Sequence, residues 1–366
     1  MNNNPTVLEI DLSSIEHNLN FFRSRLDDKT KILAVVKASG YGTDALAVAK
    51  TLVRQHVDYF AVAYVDEGIA LRDAGINTPI LVLHPQVNNL NLIIQYKLEP
   101  NLYSKKILTS FLKISAISGL SSYPVHLKFN TGLNRLGFKR SDLNFLFASL
   151  QHQKSVKINS IFSHLVASED ENEREFSLNQ IQKFNIIAKD FNELFGYKPM
   201  MHMTNTSGIL NFPEGHFDMV RLGIGLYGFA NDSKTTSRLQ NVMRLKSVIS
   251  QIHHIEKNES VGYNRGFFAS HEMKTATIPL GHADGFFRSL GQGKVFVSVN
   301  GQKAPVIGNV CMDMIMIDIT GISCEEGDEV IIFDNQKQIL EIARQANTIS
   351  YEILTTFSER IKRIAY

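Results

Sequence analysis

The sequence is short of cysteine, of net charge and of long apolar runs. Its two cysteines, Cys311 and Cys324, form no CxxC pair. Neither a disulfide framework nor a thiolate metal site is suggested, and no metal is called for. Lys+Arg number 38 against 36 Asp+Glu, a net charge of +2. That balance argues against a nucleic-acid or membrane-surface role. No apolar run approaches the length of a membrane span. The start, MNNNPTVLEIDL, has neither the basic nor the apolar region of an export signal. The cytoplasm is the simplest compartment. With 366 residues, two domains and a sizeable core are expected.

What is present is organised around ILAVVKASGYG, residues 32–42. Five apolar residues read as a buried strand. The strand ends on Lys37, followed by two glycines in three residues, Gly40 and Gly42, which permit a tight turn. A lysine at the end of a buried strand is costly unless it is paired or used. Partial burial lowers its pKa and suits it to Schiff-base chemistry. The plainer alternative is a side chain that snorkels to solvent. Tyr41 stands four residues on, where its hydroxyl can meet an anion.

Strand-like runs recur at 32–37, 59–65, 79–84, 100–103, 125–130, 158–165, 200–205 and 219–228, with helix-like stretches between them. Ser13 reads as the cap of a first helix carrying Ile15, Leu19 and Phe22. The clearest helix is 171–194, with Phe176, Phe184, Ile187, Phe191 and Leu194 on one apolar face. Eight βα units predict a (β/α)8 TIM barrel over residues 1–235. The strand at 7–12 is surplus to that count and free to join a later sheet. Residues 231–240, NDSKTTSRLQ, read as a linker or exposed crossover. Beyond them strands follow strands, at 245–255, 275–280, 294–299, 304–307, 314–319 and 328–333, with a short helix near 341–346. Residues 236–366 are expected to form a mainly β domain. Asn300-Gly301 is a strong two-residue hairpin signal.

In such a barrel the working residues come from the carboxyl ends of the strands. Those ends offer Lys37, then Lys128, Thr131 and Arg135 in HLKFNTGLNRLGF, then His164, then Asn205 and Thr206 in HMTNTSG. The last strand carries Arg221 and leads to Gly223 and Ile224. Each has a bland reading: a core histidine, an Arg221–Asp218 ion pair, an edge-exposed Lys128. Together they describe a lysine-based, anion-binding rim. A phosphate is expected on Tyr41, Thr206 and the backbone N–H groups of Gly223 and Ile224.

The motifs EIDLSSIEHNL, AVVKASGYG, KFNTGLNRLGF, SHLVASED, TNTSG, VRLGIGLYG, VGYNRGF, GNVCMDM and SYEILTTFSERIKRIAY run through nearly the whole chain. They resemble the alanine racemases, barrel-plus-β-domain enzymes that use pyridoxal 5′-phosphate (PLP). The resemblance implies that Lys37 carries PLP and is one acid/base, while Tyr263 is the opposite base. It implies that Tyr263 enters from the second subunit of a homodimer. Asn205, Thr206, Tyr41, Gly223, Ile224 and Tyr351 would hold the phosphate end, with Arg221 facing the pyridine nitrogen and His164 on the cofactor's side. Arg135, Met312 and Asp313 would handle the substrate. Lys128 matches a position that can be carbamylated in the family and then holds Arg135. The implied reaction interconverts L- and D-alanine, supplying D-alanine for peptidoglycan.

The chain departs from the family pattern at KASGYG for the usual KANAYG, at Asn130 where aspartate is common, at Thr206 for serine, and at Asn309 for arginine. None of these removes a catalytic group. The rival readings are a racemase of broader range, a PLP-dependent decarboxylase and a non-catalytic PLP carrier. Arg221 argues against the decarboxylase, which wants an acidic partner for the pyridine nitrogen. Tyr263 and the CMD segment argue against the carrier.

Overall fold

The computed structural model describes residues 5–366. The first four residues, part of the polar start read for an export signal, lie outside the described residues. Strand β1 (Val7–Ile10) leads into the helix Leu12–Arg23. Asp11 caps that helix, its carboxylate accepting from the Ser13 and Ser14 N–H groups at 2.8 and 3.2 Å. The expected cap, Ser13, is therefore already helical. Ile15, Leu19 and Phe22 are fully buried, which stabilises the fold by ~1.5–3 kcal/mol per side chain.

The barrel strands are β2 (Lys31–Val35), β3 (Tyr59–Val62), β4 (Ile80–Val82), β5 (Glu99–Leu102), β6 (Tyr123–Lys128), β7 (Val156–Phe162), β8 (Met200–His202) and β9 (Met219–Leu222). They close in sequence order. β9 returns to β2 with Leu33 opposite Arg221. β3 and β4 are continuous apolar runs, and β2 nearly so, because both faces are covered, as in other parallel sheets. Most stop short of the expected ends. The run at 219–228 leaves the sheet at Leu222, and the run at 59–65 stops at Val62 because Val65 opens the helix Val65–Asp73. The helix Arg174–Phe195 buries Phe184, Ile187 and Phe191. Phe176 is not part of that buried face: it is 38% exposed.

The second half contributes β10 (Met243–Val248), β11 (Gln251–Ile255), β12 (Ser260–Val261), β13 (Phe267–Phe268), β14 (Met273–Ile278), β15 (Phe296–Val299), β16 (Gln302–Ile307), β17 (Ile315–Asp318), β18 (Glu329–Phe333) and β19 (Lys362–Ala365). β12 and β13 pair alone; the other eight form a sheet with β1, in the order β11-β14-β17-β16-β15-β18-β10-β1-β19. β1 lies antiparallel to β10 and parallel to β19. The run expected as one strand at 245–255 is two, because its halves pair with different neighbours, β18 and β14. Asn300 and Gly301 both have left-handed φ, +48° and +77°, as a two-residue hairpin needs. Residues 231–240 are mostly exposed, as expected of a crossover, and two buried side chains, Thr236 and Leu239, pin them. They form the helix Ser233–Thr236, Thr236 bonds Ala230, and Asn18 brackets Gln240 through its N–H and C=O. The predicted short helix runs longer, Gln336–Gln345, and is followed by Ser350–Thr356. One buried apolar cluster runs from the barrel into the large sheet. Among the described residues no helix is long and apolar enough to cross a membrane.

Candidate active site

The carboxyl ends of the barrel strands open onto a cavity of about 470 Å³. Lys37, Tyr41, Lys128, Arg135, His164, Asn205, Thr206, Arg221, Gly223, Ile224 and Tyr351 all line it. Tyr263, Met312 and Asp313 do not. Tyr263 is 73% exposed and Met312 58% exposed on the β-domain surface.

Lys37 sits where β2 leaves the sheet. Ala38, Ser39, Gly40 and Tyr41 after it have left-handed φ between +52° and +67°. For Ala38, Ser39 and Tyr41 this conformation costs ~1–2 kcal/mol per residue, strain of the kind functional sites retain. Glu67 helps to hold the turn. One of its oxygens accepts from Ala38 N–H at 2.6 Å, and the other from Ala63 N–H at 2.6 Å. Gly42 is required by close approach, since a Cβ there would stand 1.9 Å from the Leu354 carbonyl oxygen. Burial, with help from the Arg135 charge, holds the Lys37 amine below its usual pKa, and Glu67 opposes the shift. A neutral amine is the nucleophilic form.

Tyr41 is buried between Tyr227, stacked at 4.6 Å, and Tyr351 at 6.1 Å. Burial pushes its phenol well up, and Tyr351 is pushed up to about 12. Both are hydrogen-bond donors at neutral pH. Asn205 caps the helix that starts at Thr206, its side-chain oxygen accepting from Gly208 N–H. The Thr206 hydroxyl accepts from Gly223 and Gly225 N–H at 3.3 and 3.2 Å. A Cβ on Gly223 would stand 2.6 Å from Tyr41 Oη, so the cradle needs glycine there.

Arg221 does not pair with Asp218, whose carboxylate accepts from Met201 N–H at 2.8 Å. Its Nη1 and Nη2 donate instead to His202 Nδ1, His164 Nδ1 and the carbonyls of Ser163 and Met203, at 2.8–2.9 Å. All four acceptors are neutral. Burial, then the Arg135 charge, pulls Arg221 down to about 9. Burial, then the Arg221, Lys128, Arg135 and Lys37 charges, holds His164 well below its usual range. Lys128 is 7% exposed rather than edge-exposed. Burial, followed by the Arg221, Arg135 and Lys37 charges, lowers it to about 7. Met312 C=O accepts from Ala283 N–H, and Asp313 pairs with Arg360 at 2.8 Å.

Several cavity residues were not picked out from sequence, among them Tyr64, His84 and Phe162. His84 closed a predicted strand, so the strand-end rule could have found it. Glu67 lies inside a helix and carried no such signal. Asn309, a noted departure, donates to the Tyr263 carbonyl at 2.9 Å and accepts from Gln292 at 3.1 Å.

Fold and rim together define a (β/α)8 barrel protein with a cavity lined by Lys37, Lys128, Arg135 and Arg221 and an appended β-domain. Residues 10–231 match the alanine racemase N-terminal domain family and residues 242–365 its C-terminal domain. The alanine racemase of Halothermothrix orenii is 34% identical, over 98% of this chain and 96% of its own. The solved alanine racemase of Clostridium difficile superposes with a TM-score of 0.93 at 31% identity, covering 99% of this chain and 96% of that one. A structure from Bartonella henselae, described as holding covalently bound pyridoxal phosphate, gives 0.89 at 27% identity over 99% of both chains. The chain belongs to the alanine racemase family.

Proposed function

We propose that this chain, an alanine racemase by family, interconverts L- and D-alanine with PLP, Lys37 and Tyr263. The observation that carries the reading is the meeting of Lys37, Tyr41, Thr206, Gly223 and Arg221 on one cavity. The donors fit the cofactor. The backbone at Gly223, bare of a side chain, and the hydroxyls of Tyr41 and Thr206, the latter positioned by the Gly223 and Gly225 N–H groups, suit a phosphate. Asn205, Ile224 and Tyr351 complete that end. Lys37 supplies the amine for covalent attachment.

When bound, PLP withdraws the electron pair left at Cα. Racemisation then needs proton holders on opposite faces of Cα. Lys37 Nζ serves one face, and its lowered pKa makes the neutral amine available. Tyr263 Oη serves the other. Arg221, cationic, would stand at the pyridine nitrogen and would offer no acceptor for a proton on it. His164, neutral, steadies Arg221. Arg135 and the Met312 backbone hold the substrate carboxylate, with Asp313 on the same rim. Lys128, poised near pH 7 among three cations, suits conversion to a carbamate, whose negative charge would pair with Arg135.

Tyr263, Met312 and Asp313 are exposed and lie outside the lining of their own chain's cavity, so the reading includes a homodimer in which each copy completes the other's site. The product would serve peptidoglycan synthesis, and the compartment is the cytoplasm.

The test follows single L-amino acids through loss of chirality with PLP added. Alanine loses it fastest. Equal rates on serine, lysine or arginine would make the enzyme a broad racemase, and carbon dioxide release without racemisation would make it a decarboxylase. Tyr263→Phe keeps the cofactor absorbance while turnover falls about 10²–10⁴-fold, the usual worth of a general acid–base; a fully active variant would refute the two-base scheme.

A further inference from the structure

Branched apolar side chains normally fill the interior of a (β/α)8 barrel. Five consecutive strands depart from that here. β5 supplies Glu99, β6 His126, β7 Ser160, β8 His202 and β9 Arg221. They touch in that order. Glu99 Oε2 lies 2.7 Å from His126 Nε2, and His126 Nδ1 lies 2.6 Å from Ser160 Oγ. Ser160 Oγ lies 2.9 Å from His202 Nε2, and His202 Nδ1 lies 2.9 Å from Arg221 Nη1. The three middle residues are fully buried, with Glu99 8% and Arg221 5% exposed.

The direction of every bond follows from one end. A guanidinium only donates. His202 Nδ1 therefore accepts, and its proton sits on Nε2. That proton goes to Ser160 Oγ. The Ser160 hydroxyl proton then goes to His126 Nδ1, which leaves His126 protonated on Nε2, facing Glu99. A doubly protonated His126 would set two N–H groups against Ser160 Oγ and leave the hydroxyl proton no acceptor in the chain. The rings are also fixed by packing. His202 stacks on Phe162 at 4.6 Å and 5°, and His126 meets the edge of Tyr59 at 6.0 Å. Among the described residues Arg221 hydrogen-bonds neutral partners, and the carboxylate reached through His202, Ser160 and His126 is Glu99.

We propose that Glu99 is a positioning residue for Arg221, acting through His126, Ser160 and His202 from the far end of the barrel. The chain holds the His202 ring in place, and with it the plane of the Arg221 guanidinium at the site. The role in turnover rests on the racemase reading; the proton arrangement does not.

The test uses ¹⁵N-histidine-labelled holoenzyme. In the wild-type protein, NMR should show His126 and His202 neutral, each protonated on Nε2. A His202 protonated on Nδ1, or on both nitrogens, would overturn the proposal, and this measurement needs no variant to fold. Ser160→Ala cuts the chain, and Glu99→Gln removes its charge while keeping its shape. Both should disturb the His202 ring signals and shift the absorbance of the bound cofactor. Ser160→Ala should lower kcat about tenfold with KM within about twofold, the pattern of a lost transition-state contribution, and Glu99→Gln should do so less. Folded variants with unchanged kcat and unchanged spectra would refute the positioning role. Absence of racemisation in the wild type, with the tautomers as stated, would instead count against the racemase reading.

Discussion

Gly223 and Tyr41 meet so closely that the smallest added side chain has no room. Tyr41 cannot retreat, held as it is between Tyr227 and Tyr351. Overpacking of this kind costs ~1–3 kcal/mol. Gly223→Ala should therefore weaken PLP binding about tenfold or more, read by fluorescence titration; unchanged affinity would show that the cradle lies elsewhere. Lys128 carries a pH prediction. Its amine titrates near 7 in the fold against an ordinary 10.5. Charging it in the folded state costs stability, a penalty absent above the unfolded value, growing as pH falls, and complete below about 7. In cofactor-stripped protein and CO₂-free buffer, Lys128→Met should gain on the wild type as pH falls from 10 to 7, by more than ~1 kcal/mol. A difference flat across that window would mean that Lys128 is not poised.

At the scale of elements, the turn that presents Tyr263 is held from outside itself. Asn264 and Arg265 have left-handed φ, +56° and +49°, and Asn309 ties the Tyr263 carbonyl from across the domain. Asn309→Ala should lower kcat about tenfold, as loss of a positioning contact does, with the cofactor absorbance unchanged. Full activity would leave the bracket without a role. The first barrel strands were legible because a parallel sheet covered on both faces writes near-continuous apolar runs, as in β2 to β4. The strand ends were not, because the chain leaves the sheet where site loops begin, as at Val62 and Leu222. The large sheet was read only in part. β19 is the short run Lys362–Ala365, opened by two cations, and it pairs in parallel with β1 from the other end of the sequence. The break between β10 and β11 depends on which neighbours each half meets. The rim residues were legible from strand ends and motif resemblance; Glu67 and the Glu99–Arg221 chain were not, since each acts through distant backbone or side chains.

The whole molecule raises the question that one chain leaves open. Lys37 lies in the cavity, while Tyr263, Met312 and Asp313 are exposed on the other domain. Sequence order says nothing of that separation. A symmetric pair would bring each exposed tyrosine to its neighbour's lysine, with the same two surfaces used twice. The decisive measurement mixes two dead variants, Lys37→Ala and Tyr263→Phe, after dissociating and reassociating them in equal amounts. Random pairing puts half the dimers in mixed form, each with one intact site, so alanine racemisation should return to about a quarter of the wild-type rate. If the mixture stays inactive although mixed dimers form, Lys37 and Tyr263 do not serve one shared site, and the two-base reading fails.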